Sequence, residues 1–421
     1  MLNYNRDSMT REDNIITMEL LNHPKCVSDF LRKVKECIQK GWNNIIIRNN
    51  ADRVFPNACL PICGLIYYYS KNESIEFEFD IPENSYLSKC GFKAPFSYDT
   101  NETSEHSAIL DKIFLYNSID QVGKLSQAFI DTISHTAECE VGVLDGISWC
   151  INEVMDNVLT HSETFEGFIM AQFHPQTQHI AFCVYDTGIG IYHTLATSKH
   201  HPKTELDALS LAIQEGIGDG KGQGNGLYGL YQIVRRNGGR LSLTSGHSSI
   251  MLRDTGELEK FNYIPCISNK FRGTIVDFQI DTQKSIDIKG AFQSIGGYDG
   301  FDFRIDDMLA DEDEFIHYNI FMNSQGTVTR NAGRYLRNDI INILRRENRC
   351  IILDFSDVKT VSSSFIDELI AKLVLFLGFI DFNMLIKITG MNDTIKFLCE
   401  RSLYMRIHDE WDNKNADTIL H

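Results

Sequence analysis

The sequence has no apolar run of the ~20 residues that a membrane-spanning helix needs. Its start, Met1-Leu-Asn-Tyr-Asn-Arg-Asp, lacks the basic and apolar stretches of a secretory leader. Positive charge is in short supply: 40 Lys and Arg face 57 Asp and Glu, for a formal charge of −17. Coating nucleic acid or an anionic membrane takes a basic face, so neither is expected as a partner. The 11 cysteines include no Cys-x-x-Cys pair. Scattered through apolar patterns, they read as reduced core residues of a cytoplasmic protein. Cys59 and Cys63 share a helix face, but no matching Cys or His pair follows to complete a zinc site.

What is present suffices for about two to four domains. Of 421 residues, 43% are apolar and 26 are Phe, enough for ordinary buried cores. Residues 1–25 read as a loose start or a short helix. A helix over Val27–Lys40, a strand at Asn44–Arg48, a helix from Pro56 and an alternating strand at Ser74–Asp80 form a small α/β unit. Residues 82–106 read as a connector. Helical patterning fills 107–135 and resumes near Val141. Two strands, Gly167–His174 and His179–Asp186, lead to a helix at Glu205–Ile213, another at Leu227–Asn237, and strands at Arg240–Ser245, Ile250–Arg253 and Thr274–Ile280. Residues 285–314 form a second connector.

The last part has strands at Ile316–Met322, Cys350–Phe355 and Asn383–Thr389. Helices run over Ala332–Leu344, from Ser362 and over Thr394–Glu400. One fixed offset aligns Ile45–Ile47 with Ile351–Leu353, and Phe55–Ala58 with Val361–Ser364. Strand–loop–helix units share this form in general, so the echo leaves duplication and coincidence both open.

Three features carry chemistry. On the helix around Ile151–Ser162, Glu153, Asn157 and His161 follow one another at i, i+4 and share a face, opposite an apolar stripe that includes Ile151, Val154, Met155 and Val158. At the end of a strand, Asp186-Thr-Gly-Ile-Gly190 sets a carboxylate beside two glycines that permit positive φ and close ligand approach. The stretch Gly222-Gln-Gly-Asn-Gly-Leu-Tyr-Gly-Leu230 runs into a helix, whose free N-terminal N–H groups suit phosphate. It is not a P-loop, because no Gly-Lys-Ser/Thr follows. It is not a Rossmann turn, because no parallel strand leads into it.

In order along the chain, Glu153-x-x-x-Asn157, Asp186-x-Gly-x-Gly190, Gly224-x-Gly226-Leu227 and Gly273-Thr274 resemble the N, G1, G2 and G3 boxes of the GHKL ATPase superfamily. The resemblance covers roughly residues 115–282. It implies an α+β protein with a Bergerat-type sandwich, a mixed sheet with helices on one face, that binds ATP and Mg²⁺ between the two layers. Carried over residue by residue, Asn157 would bind Mg²⁺. Asp186 would bond the adenine amine, with Thr274 assisting through water, and Gly188 and Gly190 would shape the adenine end. Residues from about 191 to 226 would form a lid. Gly222, Gly224, Gly226 and Leu227 would contact phosphates. Lys221, mobile between glycines, either reaches the γ-phosphate or is a solvated lysine. Glu153 stands where hydrolytic members hold a general base. No phospho-acceptor helix precedes the module, and His106 and His135 read as ordinary surface residues.

His161 also resembles the Asn-x-x-x-His ending of anti-sigma-factor serine kinases. The segment Asp354–Phe365 resembles the acceptor loop of the STAS proteins those kinases phosphorylate. By position Ser363 is the acceptor candidate, although Ser362 and Phe365 replace the family's Asp and Gly. The alternative role for these hydroxyls is helix capping. The expected domains are an N-terminal α/β domain and connector (1–106), the GHKL-like domain (107–284), a connector (285–314) and a STAS-like domain (315–421).

Three functions stay open: a nucleotide-dependent switch with slow ATP hydrolysis, a serine kinase acting on a STAS-like domain, and a non-catalytic ATP-binding scaffold. The protein partner would be a separate chain or the intramolecular STAS-like domain. Many relatives form homodimers, and no segment here decides the oligomer.

Overall fold

The computed structural model describes residues 7–98, 109–218, 225–263, 273–292, 315–347 and 349–418. The chain divides into two compact units, Met1–Ile130 with Val143–Tyr298 and Asp131–Gly142 with Asp299–His421. No helix among the described residues is long and apolar enough to cross a membrane.

The first unit opens on a hairpin, not a loose start or a helix. Strands β1 (Met9–Glu12) and β2 (Ile15–Met18) pair antiparallel, and Asp13 turns between them with φ 49°. Four-residue strands are too short to display alternation clearly, yet Met9, Ile16 and Met18 are fully buried. Helix α1 (Lys25–Gln39), β3 (Asn44–Asn49), α2 (Pro56–Asn72) and β4 (Glu76–Asp80) follow, with β2, β3 and β4 parallel. Pro61 lies inside α2 without ending it. The first half of α2 is buried on every side, from Ala58 through Ile66, as befits a helix enclosed between two layers.

The second layer is an eight-stranded sheet ordered β11-β10-β9-β12-β8-β7-β6-β5. After α3 (Tyr86–Lys89) come β5 (Phe96–Ser97), β6 (Phe114–Tyr116), α4 (Ile119–Thr136) and α5 (Val143–His161). Then follow β7 (Gly167–His174), β8 (His179–Asp186), α6 (Gly190–Ala196), α7 (Glu205–Ala212) and α8 (Gly226–Asn237). Strands β9 (Arg240–Ser245), β10 (Ser248–Leu252), β11 (Leu258–Phe261) and β12 (Thr274–Asp281) and helix α9 (Ile288–Phe292) complete the unit. The sheet is mixed: β5 and β6 are parallel and every other neighbouring pair is antiparallel.

The expectation of helices on one face is corrected here. Helices α5 and α8 pack on one face, and α2 covers β7 and β8 on the other. The reason is visible along the strands: Phe168, Met170, Cys183, Tyr185 and Ile275 supply a second apolar face that joins the N-terminal core. Strands buried on both faces read as continuous apolar runs instead of alternating ones. Segments 1–106 and 107–284, expected as separate domains, therefore share one unit through α2. Residues 131–142 belong instead to the second unit.

The second unit holds three parallel strands, β13 (Ile316–Asn319), β14 (Ile351–Asp354) and β15 (Ile386–Thr389), with β14 in the middle. β13 stops three residues earlier than expected. The Asn319 side chain accepts the Met322 N–H at 2.9 Å and caps a helical turn, α10 (Ile320–Asn323). Helix α11 (Arg330–Glu347) follows. Helix α12 (Ser363–Ile366) passes through a π-helical turn into α13 (Lys372–Leu377). The stretch read as a strand from Asn383 is helical up to Leu385, as α14 (Phe379–Leu385), before β15 begins; α15 (Asp393–Thr418) closes the unit.

The sequence echo has a topological counterpart. Both β2-β3-β4 and β13-β14-β15 are parallel and joined by helices, and β3 and β14 are the middle strands. In each, the N-cap residue of the helix after the middle strand donates its N–H to the loop that leads into the preceding long helix, α1 or α11: Phe55 to Leu21 O at 2.7 Å, Ser362 to Thr327 O at 3.1 Å.

Candidate functional site

Helix α5 sorts its residues by face. Ile151, Val154, Met155 and Val158 are buried, while Glu153, Asn157 and His161 are half-buried and open onto a cavity of about 530 Å³. Small-molecule sites typically enclose about 300–1,000 Å³. Asp186, Gly190, Gly226, Leu227 and Thr274 line the same cavity. Residues from four motifs far apart in sequence thus meet around one space.

At one end lies Asp186, the last residue of β8, directly paired with Thr274 on β12. Its Oδ1 accepts the Gly188 N–H at 2.8 Å. Burial pushes its carboxyl up to about 7, against hydrogen bonds from Gly188 and Thr274 that favour the charged form. Around it, the Ser245 hydroxyl bridges Thr274 Oγ1 at 3.3 Å and the Ile191 N–H at 2.9 Å. Gly188 does not line the cavity but is needed beside it. A Cβ there would run into the carbonyl of Ser162, at the end of α5. The neighbouring Ile189 N–H bonds that same carbonyl at 3.0 Å. Gly190 starts α6 with φ 76°, a left-handed value that glycine adopts without strain.

At the other end, the first turn of α8 faces Glu153 and Asn157. A Cβ on Gly226 would collide with Glu153 Oε2 and stand 3.3 Å from Asn157 Nδ2. Desolvation, with Asp156 adding like-charge repulsion, holds Glu153 above the usual carboxylate range. The four N–H groups that open a helix lack intrahelical partners, so this turn offers donors to an anion. The oxygen atoms of Asn157 and Glu153 are the hard donors that suit Mg²⁺. Among the described residues, no group of three or more His, Cys, Asp or Glu could hold a metal ion. A magnesium here would depend on a bound polyphosphate for most of its ligands.

The described part of the expected lid is built from α6, α7 and the start of α8. Leu195, Ala208 and Ala212 from α6 and α7 form a small cluster with Ile191, Ile217 and Leu227. Lys221, Gly222 and Gly224 lie outside the described residues, as does His106. His135 is not an ordinary surface residue: its Nε2 lies 3.4 Å from the fully buried Asp339.

Ser363 lies in the second unit, exposed at the start of α12. It lines a separate open pocket of about 280 Å³ with Arg330, Ser364, Asp367 and Arg401 among its neighbours. Ser362 is the cap, accepting the Phe365 N–H at 3.0 Å. Cys59 and Cys63 are both buried.

Several lining residues escaped the sequence reading. Trp149 stands one turn before Glu153 on the same i, i+4 row, so that row, extended backwards, would have found it. Phe292 contributes from a stretch read as connector, with ring centroid 4.7 Å from that of Trp149. No local pattern announces it.

Residues 332–396 match the family model of a STAS-like domain of unknown function (DUF4325). The second unit therefore carries a STAS-like domain. No curated protein matches the chain.

Proposed function

We propose that the cavity between α5, α8 and the sheet binds ATP with Mg²⁺, in a Bergerat-type domain of the GHKL kind, and that nucleotide occupancy acts as a regulatory switch. The convergence of Glu153, Asn157, Asp186, Gly226 and Thr274 on one cavity carries this reading. Asp186 accepts a hydrogen bond from the exocyclic amine of adenine, which would return its buried carboxyl to the charged form. Gly190 leaves room for the base, and Gly226 lets the phosphates approach the first turn of α8. Asn157 would hold Mg²⁺, which would neutralise phosphate charge. Glu153 takes the proton of an attacking water, a role served by its raised affinity for protons. Movement of α6 and α7 against the bound nucleotide converts occupancy into a change of surface.

ATP titration by calorimetry and release of inorganic phosphate test the reading. Asp186→Asn is expected to weaken binding at least tenfold, about 1.4 kcal/mol. Glu153→Ala is expected to abolish turnover and keep binding. Unchanged ATP affinity in the Asp186 variant would overturn the site.

A second reading, phosphotransfer to serine, is favoured by the exposed Ser363 beside Arg330 and Arg401. Mass spectrometry after incubation with Mg-ATP separates the two: phosphate on Ser363 supports the kinase, and free phosphate with unmodified protein supports the ATPase. Thermal stabilisation by ATP with neither product marks a structural nucleotide.

A further inference from the structure

We infer that the polar face of α11 is a docking surface for residues 131–142, and that this docking governs the nucleotide affinity of the cavity through α5. The second half of the inference rests on the nucleotide reading above.

Helix α11 buries an ordinary apolar stripe, with Leu336, Ile340, Ile341 and Ile343 in the core of the second unit. It also buries three polar residues: Asn338, Asp339 and Asn342 are 4%, 0% and 3% exposed. Buried polar groups left unpaired lose their bonds to water without replacement, so these three call for specific partners. Residues 131–142, the end of α4 and the loop after it, supply most of them. The Asn342 amide donates to the carbonyls of Ser134 and Ala137, both at 2.9 Å, and its Oδ1 accepts the Cys139 N–H at 2.7 Å. Asn338 Nδ2 donates to His135 O at 3.3 Å. Asp339 accepts the hydroxyls of Ser134 at 2.5 Å and Tyr318 at 2.7 Å. At the rim, Arg337 pairs with Glu138 at 3.3 Å and Arg345 with Glu140 at 3.0 Å, while Arg345 also donates to Cys139 O at 2.8 Å.

The last carbonyls of a helix need partners from outside it. At the end of α4, side chains of α11 provide them. This is recognition of a particular helix end with an acidic tail; a passive linker would leave its carbonyls to water. The segment runs into α5 through one left-handed residue, Gly142 at φ 78°. From Val143 onward α5 is unbroken past Asn157, so a displacement of its first turn reaches Glu153 and Asn157.

The test uses the full chain. Arg345→Glu repels Glu140 at the rim, where folding is least at risk, and Glu140→Arg in the same chain restores the opposite charges. Asn342→Ala removes the central bridge. Hydrogen exchange of residues 131–157 is read without ligand, and titration with a fluorescent ATP analogue reads affinity. Arg345→Glu is expected to speed exchange in 131–142 and in the first turns of α5, and to shift ATP affinity at least fivefold; the charge swap reverses both. Unchanged exchange in both Arg345→Glu and Asn342→Ala overturns the docking. Faster exchange in 131–142 with unaltered ATP affinity overturns the coupling. If the parent chain binds no ATP, the nucleotide reading fails separately, and unchanged exchange in 143–157 on release of 131–142 overturns what is left of the coupling.

Discussion

In the observed arrangement the Glu153 carboxylate occupies the space beside Gly226, and a Cβ at that position would have to push Glu153 Oε2 aside. The first turn of α8 thus lies directly against the carboxylate of α5. Gly226→Ala is expected to lower ATP affinity severalfold, because the Glu153 side chain it displaces takes up room in the cavity. The double variant Gly226→Ala, Glu153→Ala should recover part of that loss, because the colliding atom is gone. A calorimetric double-mutant cycle reads the coupling directly. Equal losses in the single and double variants would refute this account of Gly226.

Gly188 is a packing requirement of the Asp186 loop. Its added Cβ would meet backbone, the Ser162 carbonyl, which cannot swing aside as a side chain can. Gly188→Ala is expected to destabilise the protein by ~1–3 kcal/mol, the usual cost of overpacking. Urea unfolding measures it.

Asp277 makes stability depend on pH. It lies on the sheet face toward α2, accepting from Asn57 Nδ2 at 3.2 Å, and burial pushes its carboxyl up to about 7 from 3.8. The folded chain keeps this proton where the unfolded chain has released it. Its stability contribution is therefore fully present below about pH 4, falls as pH rises to about 7, and stays low above that. Asp186 titrates in the same direction, so the Asp277 share is isolated by substitution. Asp277→Asn mimics the protonated acid. It is expected to match the parent at pH 4 and to exceed it in melting temperature by several degrees at pH 8. A constant difference across that range would count against this assignment.

Thiol labelling checks the core. Of the ten cysteines described, nine are buried and only Cys350 is partly exposed. Under native conditions Cys350 is expected to react with a maleimide first among these ten, and Cys350→Ser should remove that fast phase.

Parts of the site were legible because the chemistry is local. The i, i+4 row on α5, the carboxylate and glycines after β8 and the glycine entry to α8 each lie within a few residues of one another. Trp149 belonged to the same row and could have been read with it. Phe292 could not, because only chain folding after β12 brings it to Trp149. Four-residue strands carry too little periodicity to reveal the opening hairpin. Asn383–Leu385 reads as strand in the sequence, because a short apolar run resembles both states until its neighbours are known.

Sequence alone determined the alternation of elements, the apolar faces of α1 and α5, and the polar groups that line the cavity. It could do so because propensity, periodicity and turn chemistry act over a few residues. The tertiary structure decided what those elements lean on. It showed that the strand run from Gly167 to Asp186 is apolar on two faces because α2 covers the second. It also showed that Asn338, Asp339 and Asn342 are buried and hydrogen-bonded where a sequence reader sees a polar helix face. Burial is a property of what comes to lie opposite, and nothing within a helix's own turn carries that information.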